Sequence, residues 1–329
     1  MRSVQAASLA ILLLGLGLVA CAPRAPSSAP TAPAAPDRAG GAAPPSAPAS
    51  PTLTTAAAMA AYDAGDFAEC ARIFGALATD MPRNIRRQRR YQQACCLTRA
   101  GAIDDAFQVL GLAVDEGLQK SYVETDTDFT AAHADPRWPR LLAALDQAEA
   151  ERRKALTHPA LHDELLARAE VDQAAVMKAF VDEATKGDPA LAAAAAATTR
   201  DNTAWLRRVV AEHGWPTHAM VGEDGAHSAW LLVQHADADP AFQAECLAKM
   251  EPLLRSEQAS EVDYAYLYDR VAVAEHRPQR YGTQFDEHRQ PRPIEEPDGV
   301  DARRARIGLP TMAEYTQQMI KMYGPPPPR

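Results

Sequence analysis

Apolar and small residues return at helical spacing along most of this chain, and the breaks between them fall at glycine and proline. Over residues 54 to 82, Ala57, Ala58 and Ala61 share one helical face, Gly65 interrupts, and Cys70, Phe74 and Leu77 resume the stripe before Pro82. Residues 91 to 117 repeat the plan, with Ala94 and Leu97 before Gly101, then Ala106, Leu110 and Ala113. Further on, Pro159 suits the first turn of a helix. Residues 201 to 216 read as a helix with Asp201 as N-cap, a stripe of Trp205, Leu206, Val209 and Val210, and a stop at Gly214 and Pro216. Asp224 is expected to cap the next helix, whose Trp230, Leu231, Leu232 and Val233 make it central and buried. Asp239 and Pro240 have the form of an N-cap and first helical residue. An apolar helix then carries Asp269 and Arg270, and "QRYGTQ" leaves it in an extended turn. A last helical region begins with Arg303, Arg304 and Arg306. The fold class expected is all-α, with one short β-hairpin around "YGTQF" and "PRPIE".

Aromatic residues make up 6% of the chain and alanine is abundant, which suits closely packed helices. The formal net charge of −9 argues against nucleic acid as a partner.

The amino-terminal stretch changes the picture from a fold to an address. Arg2 precedes the apolar run "AASLAILLLGLGLV", the length of an export signal and short of the roughly 20 residues that span a bilayer. The run ends in "LVAC", which resembles the lipobox of bacterial lipoproteins. That resemblance implies a signal peptide over 1–20, removal of the peptide before Cys21, and lipid on the Cys21 thiol. Ala22 in the next position favours the outer membrane, facing the periplasm. Residues 21–53 are rich in proline and alanine and hold almost no large apolar side chain, so they read as a disordered tether. Residues 324–329 form a proline-rich tail.

Residues 54–150 resemble divergent tetratricopeptide repeats, with Gly65, Asp66 and Phe67 at a turn and Cys70 at the small position. The resemblance implies helical hairpins that bind a protein or peptide, and a stub of two repeats is equally read as structural padding. In an oxidising compartment a disulfide from Cys70 to Cys95 or Cys96 would join neighbouring helices. The cluster "RNIRRQRR", residues 83 to 90, reads as a solvated loop between the repeats. "ETDTD" lacks the glycine and the bidentate glutamate of a calcium loop. His158 and His162 lack a third ligand at metal spacing. No metal and no cofactor is therefore expected.

Residues 158–323 form the second expected domain. The strings "GWP", "VGEDG", "AWLLVQHADADPAFQ", "AYLYDRV" and "PQRYGTQ" together resemble the signature of a bacterial domain family of unknown function, over roughly residues 160 to 318. The resemblance transfers motif positions and no activity: Trp215, Pro216, Gln234, His235, Asp269, Arg270, Gln279, Tyr281, Gly282 and Gln284. Gln234 and His235 fall in the last turn of a buried helix, where an amide and an imidazole need partners. Three readings follow for Gln234, His235, Asp269, Arg270, Gln279, Tyr281 and Gln284. They form a buried network, they line a pocket for an anionic or sugar-like ligand, or His235 acts as a base oriented by Asp269. No nucleophile elbow, metal cage or phosphate loop accompanies them, so the leading expectation is a membrane-tethered interaction module rather than an enzyme. The alternative is a small-ligand or hydrolytic domain built on His235, Asp269, Arg270 and Gln284.

Overall fold

The computed structural model describes residues 53–323, except positions 183 and 287. The signal peptide of 1–20, Cys21, nearly all of the tether and the tail of 324–329 lie outside the described residues. The described chain is all-α, and it divides into two units with the boundary between Ala148 and Glu149.

In the first unit, helices α1 (Thr55–Asp63), α2 (Phe67–Leu77), α3 (Arg83–Arg99) and α4 (Ile103–Asp115) each pack on the next. Gly65 and Gly101 turn the chain within each pair at φ values of 79° and 78°, a region open to glycine at little cost. Thr54 and Asp66 cap α1 and α2 through their side chains. Helix α5 (Lys120–Thr125), a 3-10 turn at Thr127–Ala132 and helix α6 (Trp138–Lys154) follow. Phe129, Trp138 and Leu145 join Tyr91 and Leu110 in one core, while Ala58, Cys70, Phe74 and Cys96 form another.

Cys70 and Cys96 are joined by a disulfide between α2 and α3. Cys95 and Cys246 are free and buried.

The arginine cluster is a correction: it is helical, the first turns of α3, and not a loop. Its partners explain this. Arg83 donates to the Asp115 carbonyl at 3.0 Å, Arg87 to the Glu116 carbonyl at 3.2 Å, and Arg90 to the Glu116 carboxylate at 2.6 Å. Arg86 pairs with the same carboxylate. The cations thus meet the carbonyl end of α4, where the helix dipole favours them.

The second unit holds α7 (Pro159–Val176), continued by a π-turn at Met177–Val181, then α8 (Pro189–His213) and α9 (His218–Gln234). Helices α10 (Pro240–Met250), α11 (Glu261–Ala274), α12 (Val300–Arg306) and α13 (Met312–Tyr323) complete it. Helix α9 is central, as its apolar run predicts: it contacts α7, α8, α10 and α11, and Ala229, Trp230, Leu232 and Val233 are buried. Asp239 caps α10 by accepting from the Phe242 N–H at 3.2 Å, with Pro240 in the first turn.

Two expected caps move. Helix α8 starts three turns before Asp201, at Asp188 and Pro189, because the alanine-rich run from 190 to 197 is itself strongly helix-forming. Asp201 lies mid-helix and pairs with Arg168 at 2.8 Å. The turn that Thr217 caps breaks at Gly222, whose φ of 75° is not helical, so Asp224 falls in the first turn of the segment that follows, two residues after the break, and accepts from the Gly225 N–H at 2.9 Å.

The expected hairpin is also reduced. Among the described residues the segment after α11 forms isolated bridges, Gln279 to Ile294 in parallel and Phe285 to Pro291 antiparallel, and no sheet. A parallel bridge cannot belong to a two-stranded hairpin.

Candidate functional site

The seven polar residues singled out by the sequence do not converge on one site. They divide between two buried networks, with Gln234 and Arg270 apart.

His235, the C-cap of α9, directs Nδ1 at Asp172 of α7 and not at Asp269. Both side chains are buried, 4% and 1% exposed. Asp172 also accepts from Asn202 Nδ2 at 3.2 Å, and Asn202 accepts from Arg168 at 3.0 Å. Arg168 lies over the Trp205 ring at 4.5 Å. The chain of contacts therefore links α7, α8 and the end of α9. A carboxylate at Nδ1 orients an imidazole as a base or ligand requires. Here Nε2 is buried and has no hydrogen-bond partner among the described residues. No substrate reaches it from solvent in this arrangement, so the expectation of Asp269 as orienter and His235 as accessible base is corrected.

Gln234 is buried and its Nε2 likewise has no hydrogen-bond partner among the described residues. The Gln243 amide closes the end of α9, donating to the Val233 carbonyl at 3.0 Å and to Asp237 at 3.3 Å. Arg270, also buried, faces Asp237 at 3.4 Å. Neighbours on one helix diverge, so Asp269 and Arg270 serve different elements.

Asp269 holds the turn that follows α11. Its carboxylate accepts the N–H of Arg280 at 2.7 Å, Tyr281 at 3.0 Å and Thr283 at 2.9 Å, and the Thr283 hydroxyl at 3.0 Å. Burial pushes its pKa up, and the N–H groups of Thr283, Tyr281 and Arg280 oppose that rise without cancelling it. Gln279 spans the same turn, donating to the carbonyls of Gln284 at 2.9 Å and Arg292 at 2.8 Å and accepting the Gln284 N–H at 2.8 Å. The Gln284 amide donates to Thr283 Oγ1 at 3.0 Å. Gln279, Thr283 and Gln284 are buried, so this network is interior.

Arg304 of α12 completes it from the other side. It is fully buried, donates to the Tyr281 carbonyl at 2.6 Å and to the Pro310 carbonyl, and stacks over Tyr315 at 4.7 Å. Burial lowers its pKa from the ordinary guanidinium value.

Of the candidate residues, Tyr281 lines a surface opening. A surface cavity of about 490 Å³ is lined by Arg280, Tyr281, Glu295, Glu296, Arg303 and Arg306. Arg280 pairs with Glu295 at 2.6 Å and lies over the Tyr268 ring at 4.5 Å. Burial raises the Tyr281 phenol's pKa, against the pull of the Arg280 guanidinium.

Asp172, Asn202, Thr283 and Arg304 escape a reading based on motifs. A signal existed for two of them. Leu165, Ala169, Asp172 and Val176 make one buried helical stripe, as do Val300, Arg304 and Ile307, so each charge occupies a core position.

His158 and His162 hold no common ligand position: His158 packs edge-on to His213, and His162 bonds Asp163 at 2.9 Å and Asp224 at 3.3 Å. In the first unit Cys95, Asp126 and Asp128 bring donor atoms within 4.8 Å of one another. Their oxygens already accept from Tyr91, from Tyr62 at 2.7 Å and from Arg99 at 3.2 Å, so a guanidinium supplies the positive charge a metal would bring.

Residues 159–325, half of the chain, match the family described as Family of unknown function (DUF6624). The chain belongs to this family. The matched span contains both buried networks and the rim cavity, so all of the polar motifs are features of the DUF6624 domain. No curated protein and no solved structure matches the chain.

Proposed function

We propose that this is a lipid-anchored protein of the bacterial envelope, held at the outer membrane through Cys21 and facing the periplasm. Its tetratricopeptide-like unit binds a protein or peptide. The "LVAC" string and the proline-rich residues after it support the anchor and the tether.

One observation carries the binding role. Helices α2, α3 and α4 border an open concavity of about 530 Å³, lined among others by Gly75, Gln93, Arg86, Arg90, Val109 and Leu112. Leu112 is 48% exposed there, an apolar contact beside guanidinium groups. Arginine next to apolar surface is the composition interfaces favour. The residues best suited to catalysis, His235 and Asp269, are buried instead, which weighs against a hydrolytic role.

The test is a photo-crosslinking residue placed at Leu112 in living cells, with Val171, 60% exposed on α7, as comparison. A discrete adduct from 112 and none from 171 is the expected result. No adduct, or the same adducts from both, sinks the binding role. Radiolabelled fatty acid should enter the protein and be lost in Cys21→Ala; equal labelling of that variant removes the anchor.

A further inference from the structure

The turn 279–284 is held by two buried charges. Asp269 takes three of its N–H groups and Arg304 one of its carbonyls, and both side chains are fully buried. Taking an ion out of water costs several kcal/mol. The turn is buried at Gln279, Gly282, Thr283 and Gln284, so side chains rather than water must satisfy its backbone, and the two ions fix its geometry. Gly282 fixes it further. Its φ is +71°, and an added Cβ would lie 2.4 Å from the Met312 sulfur. The side chains so presented are those of Arg280 and Tyr281, at the rim cavity.

The cavity's other wall is α12. Arg303 is immobilised by the carbonyls of Arg280 at 3.0 Å, Glu295 at 2.6 Å and Glu296 at 3.2 Å. Its remaining amino group lies 3.9 Å from the Glu296 carboxylate. Arg306 is exposed, has no hydrogen-bond or ion-pair partner among the described residues, and lines the cavity together with Tyr281. One anchored guanidinium, one uncommitted guanidinium and a phenol ring therefore border a single opening.

We propose that this cavity binds the free carboxylate of a short peptide or peptide-like ligand, with Arg306 and Arg303 on the carboxylate and the Tyr281 ring against the adjoining residue. Guanidinium forks match the two oxygens of a carboxylate. Glu295 and Glu296, on the same rim, repel a doubly charged phosphate more than a singly charged carboxylate. They also offer acceptors to a peptide's N–H groups. This site belongs to the DUF6624 domain and goes beyond the binding role given to the helical hairpins.

Calorimetric titration of the full chain with N-acetyl-alanyl-alanine, with its carboxamide and with inorganic phosphate tests it. The acid should bind saturably and the carboxamide at least tenfold more weakly. Arg306→Gln should weaken the acid at least tenfold while its thermal melting stays unchanged, since the side chain is exposed and unpaired. Arg255→Gln, an exposed arginine in the same unit, controls for net charge and should bind as the parent. The proposal falls if acid and carboxamide bind alike, if the acid shows no saturable binding, if Arg306→Gln matches the parent, or if phosphate binds more tightly than the acid.

Discussion

Asp269 and Arg304 grip the backbone of Tyr281 from opposite sides. The Tyr281 N–H donates to Asp269 Oδ1 at 3.0 Å, and the Tyr281 carbonyl accepts from Arg304 Nη1 at 2.6 Å. One comes from α11 and the other from α12, 35 residues later in the chain. Opposite charges at the two ends of one residue's backbone each stabilise the dipole the other faces.

Asp269→Asn replaces an oxygen with an amino group that cannot accept, and leaves at least one buried N–H of the turn unsatisfied. The expected loss is about 3 kcal/mol, the scale of breaking a buried charged network. Urea unfolding checks it. Arg304→Met with Asp269→Asn should be non-additive by about 1 kcal/mol, because both act on one turn.

Gly282→Ala meets two obstacles, the positive φ and the Met312 side chain. It should destabilise by about 2 kcal/mol through strain and overpacking. Met312→Ala added to it should return the packing part and not the backbone part. Thermal melts of the two variants separate the contributions.

His235→Ala strands the Asp172 carboxylate in the interior with Asn202 as its remaining partner. An unpaired buried charge costs about 3–5 kcal/mol, so the variant should melt well below the parent. Near-parental stability would contradict the interior placement of this pair.

His227 lies on α9 with Nδ1 3.0 Å from Asp263 and its ring stacked on Trp230. Burial lowers its pKa, but the Asp263 carboxylate, the hydrogen bond to it and Asp224 together raise it above the ordinary histidine value. A raised folded pKa means that the folded state binds the proton more tightly. The stabilisation is therefore full below the unfolded value of about 6.5 and is lost as pH rises through the folded value. Urea midpoints should fall between pH 6 and pH 8.5, and His227→Gln should flatten that slope.

The Cys70–Cys96 disulfide spans a sequence separation of 26 residues. Chain-entropy arguments give about 3.5 kcal/mol for such a loop. Cys70→Ala with Cys96→Ala should lower the stability of the first unit by that order. Peptide mapping without reductant should recover the 70–96 pair.

How much of this was readable in advance follows from the kind of signal each feature leaves. Helix α9 was visible because an unbroken apolar run of that length has to be buried. The Asp239–Pro240 start of α10 was visible because capping is a local property of two adjacent residues. The start of α8 was misplaced because Asp201 has the composition of a cap, while the upstream alanines outweigh it by propensity summed over three turns. The arginines of α3 looked like loop because their partners, Glu116 and the carbonyl end of α4, lie in the next helix. His235 was recognised as a polar group in a buried place, but its partner Asp172 is 63 residues earlier and no spacing rule connects them.

Sequence alone determined the helical class and that the apolar run of α9 is interior, because periodicity and chain breaks are written within a few residues of one another. Tertiary structure alone decided which buried charges meet: Asp172 with His235, Asp269 and Arg304 across Tyr281. Those contacts depend on how helices distant in the chain pack, and a hydrogen bond is selected by distances of about 3 Å that composition does not encode.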